Sequence, residues 1–417
     1  MIGGYSARHL AKLLIINKQI TPENIICFRG FLYPKLVDKY KDILYTTLLT
    51  NLTELMRIAF IGQKGIPTKD GGVDRHVENL AMFLVNKGAQ VIVYNRNGYL
   101  PEKIGNWRGI ELKHLPFINN KNLAAISHGF LATIDAIRLK VDVIHYHGIG
   151  PSLLAWIPRL FAPKIKVVAT LHSFDYGNDK WGKFAKFMLK VGEMSMCKYA
   201  HEVIVLTDIM HDYILQRYGR ETIIIPNGAY ITKNHQTNHL LPFGIEPEKY
   251  IISVSRLIRL KGIQYLIEAF RRLPENGIKL VIVGDGEYRE ELEKFAGDDK
   301  RIIFTGNQIG DSLDQLYTNA GLFVQSSEME GLSISLLEAM AHGLPCLVSE
   351  IAANRQAARE TAVYFTSKNS DNLEEQLKYI FSHAEEMKVL GLKGKERAEN
   401  IFDWEKISED TLNIYKK

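Results

Sequence analysis

The chain is expected to fold as an α/β protein with two Rossmann-like halves facing each other across a cleft. Three observations lead there. Short apolar runs alternate with amphipathic helical stretches from Met56 onward, the pattern that builds parallel doubly wound sheets. The alternation stops after Pro226-Asn227-Gly228, where polar residues from Thr232 to Asn238 and then Pro242, Gly244 and Pro247 intervene, and it starts again at Tyr250. The length of 417 residues leaves room for two or three domains, each with its own core.

Residues 1–55 stand apart from that pattern. Phe28, Phe31, Tyr33, Tyr40 and Tyr45 occur there without alternation, and Thr21-Pro22-Glu23 reads as a helix start. Met56 to Gly62 opens like a first buried strand, so residues 1–55 read either as a helical extension or as residues ahead of an alternative start at Met56. In the first half, 56–228, strands are expected at Ile58–Ile61, Val91–Tyr94, Val143–His147, Val167–Leu171, Val203–Leu206 and Thr222–Ile225. Residues 229–248 form the linker. The second half, 249–401, offers strands at Tyr250–Val254, Lys279–Val283, Arg301–Phe304, Leu322–Val324, Pro345–Val348 and Ala362–Phe365. Residues 402–417, from Phe402 to Tyr415, read as a closing helix. Ligands of such sheets bind beyond the carboxyl ends of the strands, so the cleft between the halves is the expected site.

Composition narrows the function classes. Hydrophobic content of 46% with 24% charge describes an ordinary globular protein, and a net charge of +5 suits anionic substrates or lipid headgroups. Nucleic acid is not expected as a partner, because no zinc finger or RNA-binding signature accompanies the charge. Cys27, Cys197 and Cys346 are too far apart to suggest a disulfide framework or a CxxC pair, which fits a reducing cytoplasm. Leu13–Ile16 is too short an apolar run for a signal or a membrane span, so the protein is expected to stay in the cytoplasm. Asp-x-Asp is absent and no histidine or cysteine spacing suggests zinc; no metal and no cofactor are expected.

The richest stretch runs from Ser326 to Pro345. An apolar run, Gly321 to Val324, leads into a loop carrying Glu330-Gly331-Leu332-Ser333, and a helix follows from Ile334 to Ala341, ended by Gly343 and Pro345. The first N–H groups of that helix form an anion site, and Gly331 lets backbone come close to a ligand. Glu330 and Glu338 flank that pocket, and carboxylates beside an anion site make sense if they hold hydroxyls; a nucleotide-sugar has both groups. Ser335 to Glu338 also fits a capping box, which would leave Glu338 a local role.

Other loops at strand ends add to this. Arg256 and Lys261 share one strand-to-helix loop and can neutralise a diphosphate, although either alone could be a solvated surface charge. Gly284 and Gly286 make a tight turn after the next strand, with or without a ligand, and Gly306 to Ile309 is compatible with backbone recognition of a base. Gly71 and Gly72 precede a helix from about Val73 to Val85 and either admit a phosphate or simply turn the chain. Of the strand-end histidines, His172 is the better candidate to contact a sugar, while His145 and His147 read as structural. Lys180, Lys183, Lys186, Lys190 and Lys198 would share one side of a helix, near Trp181, Phe184 and Phe187. This is either a solvated lysine face or a surface for anionic membrane.

Taken together, these residues resemble glycosyltransferase family 4, the retaining nucleotide-sugar transferases of the GT-B fold. The resemblance runs from about Met56 to the C-terminus. It rests on Glu330 and Glu338 with seven residues between them, on the Ala-Met-Ala-His-Gly-Leu-Pro run that follows, on Arg256 with Lys261, and on Gly71-Gly72. It implies that Glu330 touches the donor sugar, Glu338 the ribose hydroxyls, and Arg256 and Lys261 the diphosphate, with His172 approaching the sugar from the other half. The resemblance also implies a closing helix that crosses back to the first half, and an acceptor in a bacterial envelope polysaccharide or its lipid-linked precursor. Where relatives often carry Gly-Phe-Gly this chain has Gly331-Leu332-Ser333, so sugar preference does not carry over. Two rival readings remain: a glycoside hydrolase that uses Glu330 and Glu338 as its carboxylate pair, and a nucleotide-sugar-binding protein without catalysis.

Overall fold

The computed structural model describes residues 55–69, 71–120, 123–174, 182–230, 234–275 and 277–417. The helix start at Thr21, the aromatic residues before Tyr45, Lys180 and Trp181 lie outside the described residues, as does the side chain of Phe184. Residues 56–417 form one compact unit, described below.

Within 56–417 there are two sheets. The first contains β1 (Arg57–Ile61), β2 (Gln90–Arg96), β3 (Asn106–Trp107), β4 (Ile110–Leu115), β5 (Val143–His147), β6 (Lys166–Leu171), β7 (Glu202–Val205) and β8 (Ile223–Ile224). Their spatial order is β3-β4-β2-β1-β5-β6-β7-β8, parallel throughout except for the short β3–β4 hairpin. The second sheet contains β9 (Tyr250–Val254), β10 (Lys279–Val283), β11 (Ile302–Gly306), β12 (Leu322–Gln325), β13 (Cys346–Ser349) and β14 (Val363–Phe365). It is wholly parallel, in the order β11-β10-β9-β12-β13-β14. In each sheet the strand order reverses beside the first strand of that half, which places a crevice at the carboxyl ends there.

Continuous apolar runs became central strands because helices cover both of their faces; β5 is buried along its whole length. The hairpin β3–β4 escaped the sequence reading for the complementary reason. It lies at the sheet edge, and β4 keeps Glu111 exposed and Lys113 half-buried, so no apolar run marks it.

The closing helix, Trp404–Lys416, returns to the first half. It packs on the helix Gly72–Asn86, and its Trp404 and Tyr415 are buried. Tyr415 shares a 2.5 Å hydrogen bond with His145 on β5, and Lys166 Nζ donates to the Ile414 carbonyl at 2.5 Å. Asp403 caps this helix by accepting from the Glu405 amide. Just before the cap, the Ala229 amide donates to the Phe402 carbonyl, so the chain crosses back beside the point where it first left.

Candidate active site

Loops from the carboxyl ends of β1, β5, β6, β9, β10, β11 and β12 surround one cleft of about 600 Å³. Both halves supply its walls.

On the second-half wall, β9 releases Ser255 to Ile258, followed by a 3-10 turn, Arg259–Lys261. Arg256 and Lys261 both line the cleft. The turn after β10 packs directly on this basic loop: the Ser255 amide donates to Val283 O at 3.1 Å and the Leu257 amide to Asp285 O at 2.9 Å. A Cβ on Gly284 would stand 1.9 Å from the Ser255 carbonyl oxygen, and one on Gly286 2.3 Å from that of Leu257. These glycines are therefore required by the loop beside them. Gly284 borders the cleft. Ile309, 58% exposed, lines the cleft with Asn307 and Gln308.

Glu330 lies on the loop after β12. Its Oε1 accepts from Lys261 Nζ at 2.6 Å and from Ser327 Oγ at 2.7 Å. The helix Ile334–His342 starts with Ser333 as its cap, whose hydroxyl accepts from the Leu336 amide and donates to Gln325 Oε1 at 2.6 Å. Gln325 in turn donates to Asn354 at 2.8 Å. That chain gives Ser333 a structural task which a glycine could not perform. The capping box is not formed: Ser335 lies inside the helix, and Glu338, 5% exposed, pairs instead with Arg75 of the first half at 2.8 Å. The Glu338 carboxylate raises the Arg75 guanidinium above its ordinary value, although burial works against this.

On the first-half wall, Gly71, at φ 99°, precedes the helix Gly72–Asn86, and a Cβ on Gly72 would meet no atom within 4 Å. Asp74 and Glu78 of this helix accept from the backbone amides of Lys64 and Thr68, which fixes the loop after β1. His76, on the same helix, is buried beside His147 and His172. Asn227 donates to the Leu332 carbonyl at 2.7 Å, so its Oδ1 faces His76 and accepts from Nδ1 at 2.9 Å. His147 Nδ1 and His172 Nε2 share a proton at 3.2 Å. His145, beneath them, lies between Thr170 and Tyr415 and does not line the cleft, whereas His147 and His172 do.

Among the described residues, His76, His147 and His172 are the one set that could hold a metal ion, with ligand atoms all within 4.8 Å of one another. Their separation along the chain concealed this cluster from the sequence. The hydrogen bonds just given already engage one nitrogen of each ring, while His76 Nε2 and His147 Nε2 have no hydrogen-bond partner among the described residues.

Burial is the largest cause lowering all five histidines: His76 and His128 fall to about 4 against weaker hydrogen bonds that raise them, and His145, His147 and His172 lie well below the ordinary value because the neighbouring histidines lower them further. An unfolded chain binds protons on all five near pH 6.5 and below, while the folded one resists until much lower pH. The unfolded state thus holds more protons across that window, and stability falls as pH falls. The melting temperature is expected to drop steadily from pH 7 to pH 5 and to be insensitive to these groups above pH 7.5; a flat profile from 7 to 5 would contradict their neutral burial.

The comparisons agree with this geometry. A family model described as Glycosyltransferase Family 4 matches residues 70–232, and one described as Glycosyl transferases group 1 matches residues 242–397. The chain belongs to glycosyltransferase family 4. It is a glycosyltransferase of the GT-B fold, with its cleft between two Rossmann-like halves. An uncharacterized glycosyltransferase of Methanocaldococcus jannaschii is 26% identical over 391 residues, covering 87% of this chain and 98% of the relative. Sucrose-phosphate synthase from Thermosynechococcus elongatus superposes with a TM-score of 0.75 at 21% identity, over 87% of this chain and 98% of that one. HepE of Anabaena, solved with UDP and glucose, gives a TM-score of 0.72 at 19% identity, over 87% and 99%. At these identities the structural likeness shows the fold of the glycosyltransferase and no more.

Sequence reasoning overlooked Arg75, His76 and Asn227 as members of the site. The first two lie three and four residues after Gly72, on the helix it opens, and Asn227 sits in the turn that marks the domain boundary.

Proposed function

We propose that this glycosyltransferase moves a sugar from a nucleoside-diphosphate-sugar to a hydroxyl of a glycan or lipid-linked acceptor, with retention at the anomeric carbon and without a metal ion. One observation carries the reading: Lys261 and Arg256 share a loop beside Glu330 and the amino end of the helix Ile334–His342. As the glycosidic C–O bond lengthens, negative charge gathers on the leaving diphosphate. Two cations and free backbone N–H groups suit that charge. The leaving phosphate oxygen takes the proton of the acceptor hydroxyl as the new C–O bond forms, so no protein nucleophile is needed. Glu330 and His172 orient the sugar from opposite walls, and Glu338 takes the ribose hydroxyls beside Arg75. Gly71, Gly72, Gly331, Leu332 and Ser333 shape the floor on which the phosphates and sugar rest. The acceptor belongs to an envelope polysaccharide or its lipid-linked precursor.

A glycoside hydrolase must deliver a proton from one carboxyl. Here both carboxylates are engaged in ion pairs, with Lys261 and Arg75. A thermal-shift series with UDP-, GDP-, ADP- and dTDP-sugars tests the reading. At saturating donor, about 100 times Kd, one of them is expected to raise the melting temperature by several degrees, from about 2.7 kcal/mol of added stability. A shift with free oligosaccharides and none with any nucleotide-sugar would favour the hydrolase.

A further inference from the structure

Among the described residues, the helix Lys183–Tyr199 has one face that neither the packing of the fold nor the cleft uses. Its inner side, with Ala185, Gly192, Glu193, Ser195, Met196 and Cys197, is buried. It packs so closely on the helix Ile149–Ser152 that a Cβ on Gly192 would lie 2.5 Å from the Ile149 carbonyl oxygen. The exposed residues are Lys183, Phe187, Lys190, Met194 and Lys198. At roughly 100° per residue these five fall within an arc of about 80°. Phe187 is 60% exposed and Met194 51%. Lys183, Lys186 and Lys190 form no ion pair with a described residue. The neighbouring helix Trp156–Phe161 exposes Trp156, Leu160 and Phe161, the last to 71%. Among the described residues from 156 to 200 the one acid is Glu193, which is buried and accepts from Tyr213.

We infer that this face docks on a bilayer of anionic lipid. Lysines alternating with large apolar side chains let ammonium groups reach headgroups while rings and thioether enter the acyl boundary. The exposed charges described on this face are all lysines, which gives charge complementarity to such a surface and none to a neutral one. The same helix also borders the cleft through Leu189, next to Ile149 and Gly150. Docking would therefore hold the cleft beside the lipid surface, which makes a lipid-linked hydroxyl the natural acceptor; this deepens the transferase reading and rests on it for the acceptor alone.

The test is co-sedimentation of the full chain with vesicles of phosphatidylcholine, and of phosphatidylcholine with about one third phosphatidylglycerol. Partitioning is expected to be at least about tenfold stronger on the anionic vesicles and to collapse in high salt. Lys183→Glu with Lys190→Glu should lower it about tenfold or more, and Phe161→Ser with Phe187→Ser should lower it as well. Both variants should keep the wild-type melting temperature and its shift with nucleotide-sugar. Absence of binding, equal binding to both vesicles, or undiminished binding by the charge-reversed variant would overturn the inference. So would lipid-free self-association that these substitutions abolish, because a second copy would then be the occupant. Failure of the donor shift alone would count against the transferase reading and leave the surface standing.

Discussion

Lys261→Ala is expected to lower sugar transfer by about 100-fold or more, the size of effect seen when one donor to a developing oxyanion is removed. Lys261 closes a 3-10 turn just before the helix Ile263–Arg271, so nothing in its backbone depends on its side chain. Its amine serves Glu330, whose carboxylate keeps only Ser327 when the lysine is gone. A mostly buried carboxylate without its cation costs stability, and the single variant should melt somewhat below wild type. Lys261→Ala combined with Glu330→Ala removes both charges; its melting temperature should recover while activity stays lost. Steady-state transfer and a thermal melt on the three variants check this together. Wild-type turnover by the folded double variant would remove the basis for the site.

Gly331→Ala is expected to be the second most damaging change, with transfer lowered by about 10- to 100-fold through displacement of the reacting groups by an ångström or so. Its Cβ would stand 2.0 Å from the His172 carbonyl oxygen and 3.2 Å from Met210 Cε, both across the cleft in the first half. The halves must move apart there. Glu330 and Leu332 would shift with the loop, and the 2.7 Å bond from Asn227 to the Leu332 carbonyl would be lost. Two of the three buried apolar clusters lie away from this contact, one in the second half and one in the first half with the closing helix, so the melting temperature should change less than the rate. Gly72→Ala is the contrasting case. Its Cβ meets open space, so the fold should be unaffected; lost donor affinity in that variant would show that phosphate needs the room. Kinetics and donor thermal shifts on both variants separate a structural clash from a ligand contact.

Much of this was legible in the chain, for identifiable reasons. β5, β9 and β10 occupy the spans expected for them because strands covered on both faces must be continuous apolar runs, and Pro and Gly punctuate their ends. The helix after the acidic loop begins at Ile334, where it is expected, although its cap is Ser333 and not Ser335. Contacts that exist only after the halves meet were not legible. Glu338 looked like the partner of its own helix start, yet its partner is Arg75, 263 residues earlier. The histidine cluster joins a helix, a strand and the loop that follows another strand, and no local spacing reports it. The close packing of Gly286 on the carbonyl of Leu257 is a contact between two consecutive loops that periodicity does not encode.

The measurement closest to the central claim is the product analysis of one complete reaction. The purified protein is incubated with the nucleotide-sugar that stabilises it and with a lipid-linked or glycan acceptor, and the new linkage is read by NMR. The expected product is a glycoside with the anomeric configuration of the donor, with one nucleoside diphosphate released per linkage formed and an unchanged rate in the presence of a chelator. Sugar freed from a glycan with no nucleotide present, or a product of inverted configuration, would contradict it.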